Sequence, residues 1–347
     1  MIQSKTIHSS LPYVLKDIAI PFLGKKSQGK VRDIYIHNGE RVLITTDRQS
    51  AFDVMLGFIP YKGTVLNLLS QFWFERTKKI IPNHMISVPD QNVMITKNCK
   101  MIPVEMVVRG YMSGVTKTSI WYSYQQEERL IYGVTFPDGL KKNDALPHPV
   151  ITPTTHGGGK GGHDERLTKD EIIKRKMVEK KLYEKMERIA LKLFAFGSNL
   201  CLRQGLILVD TKYEFGLHNG QLTLIDEIHT PDSSRFWIAK TYKSRIKKGL
   251  EPENFDKEFI RLWYAKRGYR GDGKPQKMSK QLIVDTSKRY IAIYEKLTKK
   301  KFISYNYPIQ NRVLNNLTYY FEKQIRDLQT NKKTSKRQSR KSFKKTS

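Results

Sequence analysis

The stretch LILVDTKYEFGLHNGQLTLIDEIHTPDSSRFW (206–237) decides how this chain is read, because its apolar runs look like strands yet carry Asp210, Lys212, Glu214, Asp226 and Glu227. From Val209 to Leu217 the residues alternate with period two, which puts Asp210, Lys212 and Glu214 on one face and Thr211, Tyr213 and Phe215 on the other. His218-Asn219-Gly220 is turn chemistry, since Asn and Gly accept the positive φ of a tight hairpin. A three-residue loop with Gly220 left-handed would bring Asp226 opposite Lys212 on the charged face, whereas a two-residue loop would send it to the other. The three-residue register is the one expected, because it gathers Asp210, Lys212, Glu214 and Asp226. Carboxylates so gathered repel one another unless a cation lies between them, and two hard oxygen donors with room for water and phosphate suit Mg²⁺. A solvated hairpin face is the plainer alternative, and the rest of the chain has to decide.

The 347 residues can bury a sizeable core in one large domain or two lobes. Cys99 and Cys201 offer neither a disulfide framework nor a zinc quartet, which fits a reducing, cytoplasmic setting. No run reaches the length of a membrane span, and the first residues hold no uninterrupted apolar signal core, so a soluble protein is expected. The net charge of +30 first suggests nucleic acid, but eight of the basic residues sit in the acid-free tail 331–347, which reads as disordered. The remaining surplus is spread without an RNP, zinc-finger or helix-turn-helix signature. Nucleic acid is therefore not an expected partner, apart from weak polyanion contact by the tail. A diffuse positive field equally favours small anionic substrates. The sequence carries no signal of oligomeric state.

The N-terminal third reads as antiparallel β, with strands at 30–36 and 41–45 around a second His-Asn-Gly turn at 37–39. GKKSQGK (24–30) resembles a Walker A loop on paper, but Val31 replaces the Ser or Thr and a strand follows it. A glycine-bearing loop between strands can still cover phosphates, with Lys30 and Arg32 supplying charge. Residues 62–81 have helical spacing, and Leu66, Leu69 and Trp73 belong to the core. A β segment around 92–109 carries Glu105 and Arg109, at least one of them expected at a strand end and the two able to form a structural ion pair. Residues 140–166 read as an irregular, glycine-rich loop that could act as a lid, and His148, His156 and His163 are not at zinc spacing, so none is taken as a metal ligand. Thr168-Lys-Asp-Glu171 is a capping box opening one helix to Gln204, with Gly205 as its left-handed stop. Further helices are expected near 256–266, 280–298 and 309–328.

Taken in order, GKVRDIY (29–35), TTDRQSAFD (45–53), KGTVLNLLSQFWF (62–74), IPVEMVVRGYMSG (102–114), ITPTTH with GGHDE (151–165), LVDTKYEFG (208–216) and DEIHTPDSSRFW (226–237) resemble the SAICAR synthetase family of purine biosynthesis. The resemblance implies an α+β, two-lobed fold similar to protein kinases. A β-rich nucleotide-binding lobe would occupy 1–103, an α+β substrate- and metal-binding lobe 104–302, a helical extension 303–330 and the basic tail 331–347. It implies a ligase that uses ATP to activate the carboxylate of carboxyaminoimidazole ribonucleotide (CAIR) as an acyl phosphate, which L-aspartate then captures as an amide. The site residues it implies are Gly29, Lys30, Arg32 and the backbone at Met101 for ATP, with Glu214 and Asp226 for Mg²⁺. Glu105, Arg109, Ser119, Asp210, Lys212 and Arg235 would form the ribonucleotide site, with Lys212 and Asp210 closest to the chemistry. TTDRQSAFD and GGHDE are candidates for holding aspartate. The family pattern ends near residue 300, so the chemistry is expected to survive truncation after Lys301. A kinase is the nearest rival, but the chain contains neither HRD nor DFG.

Overall fold

Two Asn-Gly turns set the registers of two antiparallel sheets. The computed structural model describes residues 2–52, 54–156, 164–305 and 307–343. Its first part comprises α1 (Ser4–Ser10), β1 (Lys26–Gln28), β2 (Arg32–His37), β3 (Glu40–Thr45), β4 (Arg48–Ala51), β5 (Val54–Phe58), α2 (Lys62–Thr77), β6 (Met85–Asp90) and β7 (Val93–Lys97). A five-stranded sheet runs in the order β1-β2-β3-β7-β6. His37 pairs with Glu40 across Asn38 and Gly39, at φ 51° and 79°, a two-residue turn whose twist matches that of its strands. The loop ahead of β2 is closed by the Gly29 N–H donating to the Arg32 carbonyl at 2.8 Å.

The chain then crosses through β8 (Lys100–Met101) into β9 (Val104–Tyr111), α3 (Ile120–Tyr124), β10 (Leu130–Ile131), β11 (Val134–Thr135), β12 (Ala145–Ile151) and β13 (Thr154–Thr155). After these come α4 (Lys169–Lys174), α5 (Lys180–Arg203), β14 (Leu206–His218), β15 (Gln221–Ile225) and β16 (Ser234–Ile238). Helices α6 (Ala239–Lys247), α7 (Glu258–Ala265), α8 (Lys280–Thr298) and α9 (Gln310–Phe343) complete the order. The second sheet is built on β12-β9-β14-β15, with β8 and β16 also pairing with β14 and β13 with β9. Val104, Met106 and Val108 of β9 and Tyr213 and Phe215 of β14 join Leu66, Leu69 and Trp73 of α2 and residues of α5 and α8 in one buried cluster, so a single core serves both sheets.

Four expectations change. The hairpin at 206–237 has the two-residue loop: His218 pairs with Gln221 across Asn219 and Gly220, at φ 51° and 75°. The helix expected at 168–204 is two helices, because the carbonyls of Ile172 and Ile173 are capped by the N–H groups of Met177 and Lys176, with Lys176 left-handed at φ 54°. The capping box and the left-handed Gly205 are as read. Residues 145–151 are not a free loop but the outer strand β12, whose register shifts between Ala145 and Val150 and so accommodates Pro147 and Pro149. Residues 157–163, including His163 and the start of GGHDE, lie outside the described residues.

The fourth change concerns the C-terminal extension. Ile309, Val313, Leu317 and Phe321 recur every fourth residue along one helical face and are buried against Leu15 and against Tyr35, Val42, Ile44 and Ile95 of the first sheet. Arg312 Nε reaches Asp90 Oδ2 at 2.9 Å, and the Tyr307 hydroxyl donates to Asp47 Oδ2 at 2.7 Å. The segment past 301 is thus part of the catalytic body, and its helix continues to Phe343, through most of the stretch expected to be disordered.

Candidate active site

The charged row of the hairpin is real and faces β9. Asp210 stands opposite Arg109, and Lys212 opposite Val107, in the β14–β9 ladder. Tyr213 and Phe215 point the other way into the core, and the buried Thr211 hydroxyl accepts from Ser234 at 2.7 Å. The two-residue loop puts Ile225 opposite Glu214, so a continuing strand would carry Asp226 to the core face. The ladder ends at Ile225 instead, and Asp226 takes φ 64°, a left-handed conformation that a short polar side chain tolerates. That break, rather than the register, returns its carboxylate to the charged side.

Burial without partners would be prohibitive for so many charges, and the pairing is dense. Lys212 Nζ lies 2.8 Å from Glu105 Oε1 and also bonds Glu214. Arg32, at the start of β2, bonds Asp226 with one nitrogen and Glu227 Oε2 with the other at 2.7 Å. Burial pushes Glu214 up to about 7, with Asp226 adding to the rise and Lys212 opposing it. Burial works against the Asp226 carboxylate too, but Arg32 and Lys212 outweigh it and hold its pKa below the usual range. Glu105 and Arg109 do not pair with each other: Glu105 faces Lys212, while Arg109 Nη1 lies 3.2 Å from Asp210 Oδ2. Arg235 reaches the same Asp210 oxygen at 2.8 Å.

Two cavities meet at this row. The larger, about 530 Å³, is lined by Gly29, Lys30, Arg32, Met101, Glu214 and Asp226. The smaller, about 180 Å³, is lined by Arg109, Thr116, Thr118, Asp210 and Arg235. Glu105 and Lys212 belong to both. Ser119 is buried behind the smaller cavity, its hydroxyl donating to the Thr116 carbonyl at 2.7 Å, and two neighbouring threonines line the wall in its place. Of the segment 45–53, Ser50, Ala51 and Phe52 line the larger cavity. The buried Asp47 instead ties the body together, accepting from the backbone N–H groups of Leu15 and Gly63.

One histidine departs from expectation. His156 Nδ1 lies 3.2 Å from Glu105 Oε1 and 3.5 Å from Glu214 Oε2, and one ligand atom from each of the three residues falls within 4.8 Å of the others. His156 is therefore placed where it could ligate a cation, although its spacing in sequence gave no hint. Glu227, noted among the hairpin charges but given no role, and Asp232, Lys257 and Arg261, which were not singled out, also line the site. Asp232 was visible only as part of the DSSRFW run, and Lys257, just ahead of α7, and Arg261, on it, arrive far along the chain.

The carboxylate oxygens of Glu214 and Asp226 are hard donors on the wall of a cavity that also presents Lys30 and Arg32, a donor set that fits Mg²⁺ held with a polyphosphate. This is the arrangement of a phosphoryl-transfer site facing an anionic acceptor.

The comparisons with known proteins agree. The SAICAR synthetase family model matches residues 25–282. A phosphoribosylaminoimidazole-succinocarboxamide synthase of Legionella pneumophila (strain Lens) is 48% identical over 315 residues, covering 89% of this chain and 99% of the relative. A chloroplastic synthase of Vigna aconitifolia is 52% identical over 246 residues, 71% of each chain. Among solved structures, the SAICAR synthase of Saccharomyces cerevisiae complexed with SAICAR superposes with a TM-score of 0.71 at 29% identity, covering 84% of this chain and all of that one. A type-2 SAICAR synthetase in complex with ADP gives a TM-score of 0.60 at 26% identity, over 81% of this chain and all of that one. The charged hairpin, the two cavities and these matches together place the chain in the SAICAR synthetase family, the α+β, ATP-dependent ligases that join CAIR and L-aspartate in purine biosynthesis.

Proposed function

We propose that ATP occupies the larger cavity and CAIR the smaller, with the reaction at the wall they share. The observation that carries this assignment is Lys212: its ammonium lines both cavities and lies 2.8 Å from Glu105 Oε1. In this reading residues 1–103 supply the nucleotide lobe and 104–302 the substrate and metal lobe. Gly29, Lys30 and Arg32 attend the phosphates, and the backbone at Met101 the adenine. Arg109 and Arg235, with Thr116 and Thr118, take the ribonucleotide phosphate, whose dianion suits a guanidinium pair.

The CAIR carboxylate is itself an anion, so its approach to the γ-phosphate sets two negative charges together. Lys212 lowers that cost from the shared wall, and Asp210 orients both Arg109 and Arg235. Glu214 and Asp226 would hold Mg²⁺, which when bound shields the phosphate charge. The acyl phosphate so formed keeps its energy only while water is excluded and the amine is at hand. The carboxylate oxygen displaces ADP, and the aspartate amine then displaces phosphate to leave the amide. A cytoplasmic location accords with the two free, buried cysteines. Among the described residues no helix is long and apolar enough to cross a membrane.

The test is ADP release by the purified chain with Mg·ATP, CAIR and L-aspartate, omitting one substrate at a time. Turnover should need all three and yield the succinocarboxamide. Rapid ADP release without aspartate would replace the coupled ligase with a kinase-like transfer.

A further inference from the structure

We propose that Arg48, which lines neither cavity, is a positioning residue that turns the backbone N–H groups of the glycine loop toward the triphosphate from behind. The proposal rests on the reading that ATP fills the larger cavity. Gly29, Lys30, Val31 and Arg32 all line that cavity, so four successive residues cover the space assigned to the phosphates.

The carbonyls of these four residues are all taken. Arg48 Nη2 donates to the Gly29 carbonyl at 3.1 Å and Arg48 Nε to the Lys30 carbonyl at 3.3 Å. The Val31 carbonyl accepts from both the N–H and the hydroxyl of Thr46, each at 2.9 Å. The Arg32 carbonyl accepts from the Gly29 N–H inside the loop. Thr46, like Arg48, lines neither cavity, so the first three carbonyls face into the body. In a trans peptide the C=O of one residue and the N–H of the next point in opposite directions, and none of these bonds is cis. The N–H groups of Lys30, Val31 and Arg32 are therefore directed away from Arg48 and Thr46, to the side of the cavity. Successive amides aimed one way make a concave donor set for phosphate oxygens.

The surroundings of Arg48 suit holding the loop, not binding an anion. Its side chain is 6% exposed, and its Nη2 also lies 2.9 Å from Oδ1 of the fully buried Asp33. One carboxylate thus neutralises the one guanidinium, and Asp33 is itself fixed by the Ile18 N–H at 3.0 Å. What remains is the rigid fork of donors: Nε reaches the Lys30 carbonyl, Nη1 that of Lys16 at 2.9 Å and Nη2 that of Gly29. A lysine could keep the charge beside Asp33, but its single nitrogen cannot span carbonyls that the fork reaches with three. The loop is in this way shaped before nucleotide arrives, and its amides need no reorganisation to meet it.

The experiment combines steady-state kinetics of the full chain, each substrate varied in turn, with calorimetric titration of adenosine, ADP and ATP. Arg48→Lys should raise the KM for ATP about ten- to a hundredfold, the loss expected for misaligned hydrogen bonds to a charged group, with the KM values for CAIR and L-aspartate unchanged. The loss of affinity should grow with the phosphates, from about twofold at most for adenosine to about tenfold or more for ADP and ATP, because adenosine gives the loop nothing to hold. Thr46→Val removes one of the two donors to the Val31 carbonyl and leaves no charge unpaired. It should act in the same direction with a smaller loss, and it decides the matter if the Arg48 variant fails to fold. An equal loss for adenosine and ATP would overturn the proposal, as would an unchanged KM for ATP in a variant that melts like the parent. Lys30→Gln serves as the control: a raised KM for ATP there upholds the placement of ATP in the larger cavity even where the Arg48 assignment fails.

Discussion

The two hairpins of this protein carry the same triplet, His-Asn-Gly, at 37–39 and at 218–220, and close with the same two-residue loop. Their faces are spent differently. In β2–β3 one face, with Tyr35, Val42 and Ile44, is roofed by α9, while Arg32, Ile34, Arg41 and Leu43 border the larger cavity. In β14–β15 one face is apolar core and the other is Asp210, Lys212 and Glu214, with Asp210 answered by Arg109 and Arg235, Lys212 by Glu105, and Glu214 by Lys212 of its own strand. Turn chemistry is local and sets register, whereas the use of a face is decided by what distant segments bring to it. The second hairpin shows this most clearly, since Asp226 reaches the site by leaving the ladder.

The comparison can be broken most severely at the roof of the first hairpin. Truncation after Lys301 removes five buried apolar side chains, Phe302, Ile309, Val313, Leu317 and Phe321, the last four of them the roof. At about 1.5–3 kcal/mol each, their loss is comparable with the whole stability of a typical domain. The truncate should be insoluble or lack a cooperative melt, and one that melts like the parent would show that the first sheet needs no roof. Next in size, Asp226→Asn should keep the melting temperature near that of the parent while Mg²⁺-dependent turnover falls roughly a hundredfold or more. Near-normal activity would remove Asp226 from the metal site and leave the left-handed turn without a purpose.

Tyr307→Phe probes the seam between the extension and the first sheet. It deletes one donor to the buried Asp47 carboxylate, a loss of about 1–3 kcal/mol. Burial already pushes Asp47 up to about 6 from 3.8, so between those values the folded chain holds a proton that the unfolded chain has released. This group's contribution to stability therefore falls as pH rises through that window and is level above it. Without the tyrosine the pKa climbs further, and the falling limb should extend to higher pH. Melting curves of parent and variant that stay parallel across the window would sink the assignment. The smallest effect is the sharpest comparison: Asn38→Ala and Asn219→Ala should each cost about 1 kcal/mol, because both asparagines are left-handed. Only the second should also lower turnover, by shifting the charged row, and equal turnover in the two would mean the row tolerates a loosened turn.

Most of the site was legible because strand alternation is strict: Asp210, Lys212 and Glu214 had to share a face, and the ordered motifs carried Glu105, Arg109 and Arg235 with them. Asp226 was placed on the charged side through a loop that does not exist, since no periodicity announces a single left-handed residue at a strand end. Lys257 and Arg261 were missed because two cations at an amphipathic helix look solvated until Lys257 is seen against Asp232 and Arg261 against Glu258. The four-residue spacing of Ile309, Val313, Leu317 and Phe321 was in plain sight, but nothing in the chain names the sheet that it covers.

The prolines of β12 have a consequence beyond the fold. A sheet ending in an open strand offers a row of unpaired backbone groups to any other extended chain, and that is how many soluble proteins come to grief as fibres or aggregates. Here the border carries Pro147 and Pro149, which lack the N–H a recruit would need, and the register slips between Ala145 and Val150 just where a straight template would be required. The rim is thus closed to newcomers by residues that contribute nothing to the reaction, and replacing them by ordinary strand formers should turn a well-behaved enzyme into a sticky one.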